Sequence, residues 1–145
     1  EAPIILGDTL KNYTFPIGDE LLDLNTALGD KPYLLIDVWG TWCRGCVQQI
    51  PLMKSLHTDH SAILNIIGLN KGDSPIKMEE FKNTYHIPWK SGILSTEIQE
   101  DLNIEGFPSY ILIDSDRKLL MYDTIPYYIM QFLEERKQDH LKSGD

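Results

Sequence analysis

The stretch from Asp37 to Pro51 reads D-V-W-G-T-W-C-R-G-C-V-Q-Q-I-P and holds both cysteines of the chain, Cys43 and Cys46, with two residues between them. Its first residues close an apolar run, Y-L-L-I-D-V from Tyr33 to Val38, bounded by Lys31-Pro32 and by Gly40. A run of that kind suits a central strand covered on both faces. Beyond it, Cys46, Ile50, Met53 and His57 recur at i, i+4, i+7 and i+11, which is one face of a helix. The spacing predicts a helix from Cys43 to about His57. Pro51 should kink it, because a proline inside a helix loses a hydrogen bond and clashes with the preceding turn.

Outward from this strand–helix unit the pattern repeats. Upstream, Tyr13–Ile17 and Glu20–Leu22 read as a short hairpin, followed by a turn of helix near Leu24–Leu28. Downstream, Ile63–Leu69 is a second core strand. Ser74-Pro75 then offers an N-cap and a proline at the first helical position, opening a helix to about Tyr85. Ser91–Leu94 reads as a short strand, and Thr96-x-x-Gln99 as a capping box opening a short helix. Ser109–Asp114 and Lys118–Asp123 are strands joined by the turn D-S-D-R-K, and a last helix runs from about Pro126 to Leu141 with Ile129, Phe132 and Leu133 inward. The order is two parallel strands with crossover helices, an antiparallel hairpin and a closing helix, an α/β arrangement. With 145 residues and no repeat or linker, residues 1–145 are expected to form one domain.

Charge and length exclude several classes. The formal charge is −9, from 13 basic and 22 acidic residues, which disfavours nucleic acid and anionic membrane surfaces as partners. No apolar run reaches the 18 or so residues of a membrane span. The chain opens at Glu1 without an initiator Met, which reads as a processed form or a fragment whose targeting segment lies outside it. A domain of this length buries roughly 70% of its unfolded surface and needs no staple. A disulfide across so small a loop would be a poor one, since loop-closure entropy rewards long loops.

The pair can hold a metal or trade electrons. Cys43-x-x-Cys46 followed by His57-x-x-His60 superficially resembles a two-Cys, two-His zinc site. Geometry opposes it: along one helix, Cys46 and His57 would lie roughly 16 Å apart, whereas every zinc ligand must lie within about 2.3 Å of the ion. His57 and His60 are read instead as solvated residues near a helix end. The redox reading places Cys43 at a helix N-terminus, where the dipole and free N–H groups favour a thiolate, with Arg44 adding positive charge. Cys46, one turn on and sharing the apolar face, is expected to be the shielded member. The assignment follows: Cys43 attacks, and Cys46 resolves the mixed disulfide. Asp37 is a carboxylate inside an apolar strand, which is expensive unless it is useful or reaches solvent; the alternative to a functional role is that it simply sits at a wet strand end. Desolvation should raise its pKa, so that it takes the Cys46 proton as a general base, through a water. Its charge opposes that of Arg44, and the net expectation for the Cys43 thiol is a pKa of about 7.

At this point the sequence resembles the thioredoxin superfamily. The anchors are W-C-R-G-C, Asp37 six residues before Cys43, and G-F-P-S from Gly106 to Ser109. Sixty-five positions separate Cys43 from Pro108; with W-G-T-W-C before the pair and Q-I-P after Cys46, this points to the TlpA/ResA-like branch. The resemblance implies a thioredoxin-like fold: a central mixed β-sheet flanked by helices, with an N-terminal β-hairpin and an inserted helix–strand element between about Ser74 and Leu94. It implies a cis Phe107–Pro108 bond and a docking surface of Trp42, Arg44, Phe107, Pro108 and Ser109. It implies a thiol–disulfide oxidoreductase with no cofactor beyond its own dithiol, acting on protein or peptide disulfides in the bacterial periplasm or envelope and fed by a membrane electron donor. Two departures stand out: Gly45 replaces the usual proline between the cysteines, and Gln49 replaces a glutamate that several members carry. Rival readings are a peroxide-reducing enzyme, whose P-x-x-x-T-x-x-C signature is missing, and a noncatalytic binding module. Trp39 reads as core, Trp89, His86 and Tyr127-Tyr128 as packing or surface, and Asp114-x-Asp116 as a hairpin turn rather than a calcium loop.

Overall fold

The computed structural model describes residues 4–142. Strands β1 (Thr14–Ile17) and β2 (Glu20–Asp23) form an antiparallel hairpin, and α1 (Leu24–Leu28) follows, capped by the Asp23 carboxylate, which accepts from Thr26 N–H at 2.7 Å. Then come β3 (Tyr33–Trp39), α2 (Arg44–Gln48), α3 (Ile50–Asp59), β4 (Leu64–Asn70), α4 (Pro75–Tyr85), β5 (Ser91–Ile93), α5 (Thr96–Asp101), β6 (Ser109–Asp114), β7 (Leu119–Asp123) and α6 (Tyr127–Lys142). The main sheet has five strands in the order β5-β4-β3-β6-β7. Strands β3, β4 and β5 run parallel; β6 is antiparallel to β3, and β7 to β6. This is a mixed α/β sheet with a separate N-terminal hairpin, as expected, and the inserted helix–strand element is α4 and β5.

The central strand explains its own sequence. On one face Leu34, Ile36 and Val38 pack with Leu10, Phe15 and Leu24. On the other, Leu35 packs with Met53, Leu56, Tyr110, Ile129 and Leu133. Both faces are covered, so the strand has no polar alternation to show. Asp37 falls on the second face with Leu35 and Trp39, by the two-residue period of a strand.

Three local expectations are corrected. The helix after the cysteines is two helices, broken at Gln49 (φ −92°, ψ −4°), and Pro51 lies in the first turn of α3. A proline is tolerated there because the N–H it lacks would have had no helical partner. The cap of α5 is Ser95, whose Oγ accepts from Ile98 N–H at 3.1 Å, and not the Thr96–Gln99 box. Gln99 instead accepts from Lys71 Nζ at 2.7 Å and donates to the Ile104 carbonyl at 3.3 Å. His60 is 2% exposed rather than solvated. It ends α3 and turns inward, with Nε2 3.7 Å from Glu134 Oε2 on α6 and with Nδ1 unpartnered. His57 is half-buried, with its ring 5.7 Å from that of Trp89.

Burial holds the His60 pKa below its ordinary 6.5; Glu134 and Asp59 pull it up, and Lys137 pushes it further down. A folded value below the unfolded one means that the unfolded chain takes up the proton first as pH falls. The neutral ring's contribution is therefore present above about pH 6.5 and is lost as pH falls through the folded value. His60→Gln is expected to flatten the dependence of urea midpoint on pH below about 6.5. An unchanged slope would remove His60 from the account.

Candidate active site

The site sits where β3 gives way to α2. Cys43 is the N-cap of α2, with extended backbone (φ −91°, ψ 104°), and Cys46 N–H donates to its Sγ at 3.1 Å. The two residues are joined as a disulfide, with Cα atoms 5.2 Å apart. Because α2 has five residues rather than the fifteen of an unbroken helix, the local N–H aimed at Sγ matters more than a long macrodipole. Arg44 is exposed on the first turn.

The expected contrast in exposure between the cysteines is absent in the disulfide form: Cys43 is 4% exposed and Cys46 7%. Both pack in a small cluster with Trp39 and Met78, against Phe81, Ile93 and Phe107. The bond draws both sulfurs into one apolar environment, which residue spacing alone could not foresee. A different asymmetry remains. Cys46 lines a narrow cavity of about 20 Å³ together with Asp37, Trp39, Met53, Trp89 and Ser91, and Cys43 does not. That is room for one water.

Asp37 pairs across the sheet with Gly68 on β4 and Tyr110 on β6. Its side chain is half-buried and reaches the cavity. Burial pushes its pKa from 3.8 up to about 7, and Lys82 lines the same cavity. Tyr110, buried on the same face, has its phenol pushed up by burial and by the Asp37 charge. Trp39 is core, as expected, and its Nε1–H donates to Ser91 Oγ at 2.7 Å.

The loop before β6 meets the cysteines from the other side. Phe107–Pro108 is cis. Pro108 is buried, and a Cβ on Gly45 would stand 3.0 Å from its Cδ, so glycine permits the approach. Trp42 is 54% exposed, and its ring meets that of Phe107 edge-on at 5.2 Å. Its indole lies against Gly40, where a Cβ would overlap it. The Ser109 side chain turns inward. It is 1% exposed, and its hydroxyl donates to the Gly106 carbonyl at 2.7 Å while accepting from Tyr122 at 3.3 Å. That hydroxyl is engaged inward and is not presented for docking. Trp42, Arg44, Phe107 and Pro108 are thus gathered around the pair, and the Ser109 side chain is not.

Sequence reasoning missed the loop between β4 and α4. Asp73 Oδ2 accepts from Thr41 N–H at 2.7 Å and from Asn70 Nδ2 at 2.9 Å, and its Oδ1 accepts from Thr41 Oγ1–H at 2.8 Å. The Trp42 indole N–H donates to the Lys71 carbonyl at 2.9 Å. The available signal was the polar run N-K-G-D directly after a buried strand. Asp114 also behaves as a turn residue, accepting from Asp116 N–H and Lys118 N–H at 2.9 Å each.

A dithiol-spaced pair at the end of the central strand of a mixed sheet, faced by a half-buried acid and a cis-proline loop, defines the thioredoxin-like class. The thioredoxin-like family matches residues 30–119, and the chain belongs to that family. Relatives in that family carry the names thiol-disulfide oxidoreductase and thiol:disulfide interchange protein. The thioredoxin-like protein YneN of Bacillus subtilis is 27% identical over 101 residues, 68% of this chain and 58% of that one. The thiol:disulfide interchange protein DsbE of Xylella fastidiosa is 31% identical over 116 residues, 76% of this chain and 56% of that one. Other relatives carry the name thiol-disulfide oxidoreductase ResA. The chain spans little more than half the length of these relatives. In fold it is similar to the thioredoxin domain of a thiol-disulfide oxidoreductase from Bacteroides vulgatus, with TM-score 0.78 at 20% identity, over 91% of this chain and 97% of that domain. Among the described residues no helix is long and apolar enough to cross a membrane.

Proposed function

We propose that the chain reduces disulfides of protein or peptide substrates with a Cys43/Cys46 dithiol. The observation that carries this reading is the Cys43–Cys46 disulfide at the N-terminus of α2, with Cys46 sharing a cavity with Asp37. In the reduced form the Cys43 thiolate attacks a substrate disulfide. An S–S bond forms between Cys43 and substrate as the substrate bond breaks, and one substrate thiolate leaves. Cys46 gives its proton to Asp37 through a water and attacks Cys43 Sγ, which releases the second substrate thiol and restores the Cys43–Cys46 bond. Two electrons pass from dithiol to substrate. Asp37, with a pKa of about 7, can take that proton and return it near neutral pH. Trp42 and Phe107, backed by the buried Pro108, form the surface against which an extended substrate segment lies, and Arg44 adds positive charge beside the attacking sulfur.

Turnover needs a donor of two electrons. A membrane-bound donor and a location in the bacterial envelope are the setting that resemblance to the TlpA/ResA-like branch supports. The chain's own dithiol supplies the redox chemistry without a further cofactor.

The test is catalysis of insulin-disulfide reduction by dithiothreitol, with the reduction potential of the pair measured alongside. Acceleration over dithiothreitol alone is expected, with a potential nearer −270 mV than −120 mV. No acceleration would overturn the assignment, and a potential near −120 mV would reverse the direction of flux.

A further inference from the structure

We propose that Asp73 is a positioning residue for this exchange, holding the Thr41–Trp42–Cys43 segment so that the Trp42 face is already set when a protein disulfide arrives. The inference rests on the reductase reading and adds a residue to it.

The loop after β4 grips the loop after β3 at several points. Lys71 N–H donates to the Trp39 carbonyl at 2.9 Å, and the Lys71 carbonyl accepts from the Trp42 indole at 2.9 Å. Thr41 gives both its backbone N–H and its hydroxyl to the Asp73 carboxylate, at 2.7 and 2.8 Å. The same carboxylate takes Asn70 Nδ2 at 2.9 Å, and Asp73 N–H returns to Asn70 Oδ1 at 3.1 Å. Asn70 is wholly buried, and its carbonyl accepts from Leu94 N–H at 2.8 Å, so the grip is anchored in the sheet. Charge-assisted bonds of this kind are stronger than neutral ones.

A helix-starting role does not account for this geometry. Asp73 precedes α4, but that helix is capped by Ser74, whose Oγ accepts from Lys77 N–H at 3.2 Å. The Asp73 carboxylate points the other way, toward the residues that lead into Cys43. Burial pushes its pKa up, but the three donors together with the Lys77 charge hold it below 3.8.

What the grip achieves is order in an exposed ring. Trp42 is 54% exposed, yet its indole is fixed by the Lys71 carbonyl, by the back of Gly40 and by the edge of Phe107. A large aromatic held in place before encounter loses little freedom on binding, which is how preorganisation gains affinity. A small disulfide that touches only the sulfurs has no use for that face. Asp73 therefore separates protein substrates from small ones.

The experiment compares wild type, Asp73→Ala and Asp73→Asn on insulin and on a small aliphatic disulfide, with acrylamide quenching of tryptophan fluorescence alongside. Trp39 and Trp89 are 5% and 6% exposed, so a change in quenching reports chiefly on Trp42. Asp73→Ala is expected to raise KM for insulin about tenfold, to lower kcat/KM for the small disulfide by no more than about threefold, and to increase quenching. Asp73→Asn keeps one acceptor oxygen and should fall between. Unchanged insulin KM and quenching in a cooperatively melting Asp73→Ala protein would overturn the proposal, as would equal losses on both substrates. If Asp73→Ala does not fold, Thr41→Val removes one donor alone and should shift KM and quenching the same way; no shift refutes the role. Failure of wild type to reduce insulin would sink the reductase reading instead, while quenching would still report whether Asp73 holds the ring.

Discussion

Cys43→Ser is expected to lower the rate of insulin-disulfide reduction by about a thousandfold or more, to the level of dithiothreitol alone. A serine hydroxyl is not appreciably ionised near neutral pH, and only the thiolate is nucleophilic enough to attack a disulfide. The complementary change separates the two roles. Cys46→Ser leaves the attacking sulfur but removes the resolving one, so a mixed disulfide with substrate should accumulate and be visible by mass. The pairing of outcomes matters because Cys43 and Cys46 are similarly covered in the disulfide form, at 4% and 7% exposure. Accumulation of the adduct in Cys43→Ser rather than Cys46→Ser would exchange the roles. Full activity in Cys43→Ser would end the assignment.

Asp37→Asn is expected to act in two opposite directions. In the unfolded chain this carboxyl ionises near 3.8, whereas in the folded protein burial delays ionisation to about 7. Between those values the folded state holds the extra proton, so Asp37 makes stability fall as pH rises from about 4 to about 7, and above that the penalty is complete. The gap corresponds to about 4 kcal/mol. The half-buried carboxyl keeps contact with its cavity, so the gain for asparagine at pH 8 should be about 2–4 kcal/mol, vanishing near pH 4. Turnover near neutral pH should drop about a hundredfold, because asparagine cannot accept the Cys46 proton. Urea denaturation at pH 4 and pH 8, with a pH–rate profile, reads both effects. Equal stability at pH 8 would mean that the carboxyl is well solvated; an unchanged rate would remove Asp37 from the proton path.

Part of this site can be read from the sequence alone. The strand Tyr33–Trp39 announces itself because both of its faces are covered, and a lone aspartate in such a run is conspicuous. Cys43 and Cys46 are fixed by spacing. The expectation of one kinked helix through Pro51 fails because an i, i+4, i+7 pattern continues across a break at Gln49 when both short helices lie on the same surface. The buried His60 depends on α6, about seventy positions further along the chain, and no local pattern carries that. The cover over both sulfurs likewise comes from distant pieces: Met78 and Phe81 on α4, Ile93 on β5 and Phe107 before β6. Asp73 was hidden by its neighbours, since D-S-P reads as a helix start and Ser74 does serve as one.

The contact between Gly45 and Pro108 joins two positions 63 residues apart in the chain. Any side chain grafted onto position 45 would have to push that proline back by a few tenths of an ångström. The dipeptide between the cysteines is consequently half of a matched pair. A change of dipeptide would here also shift the cis-proline loop that faces the two sulfurs.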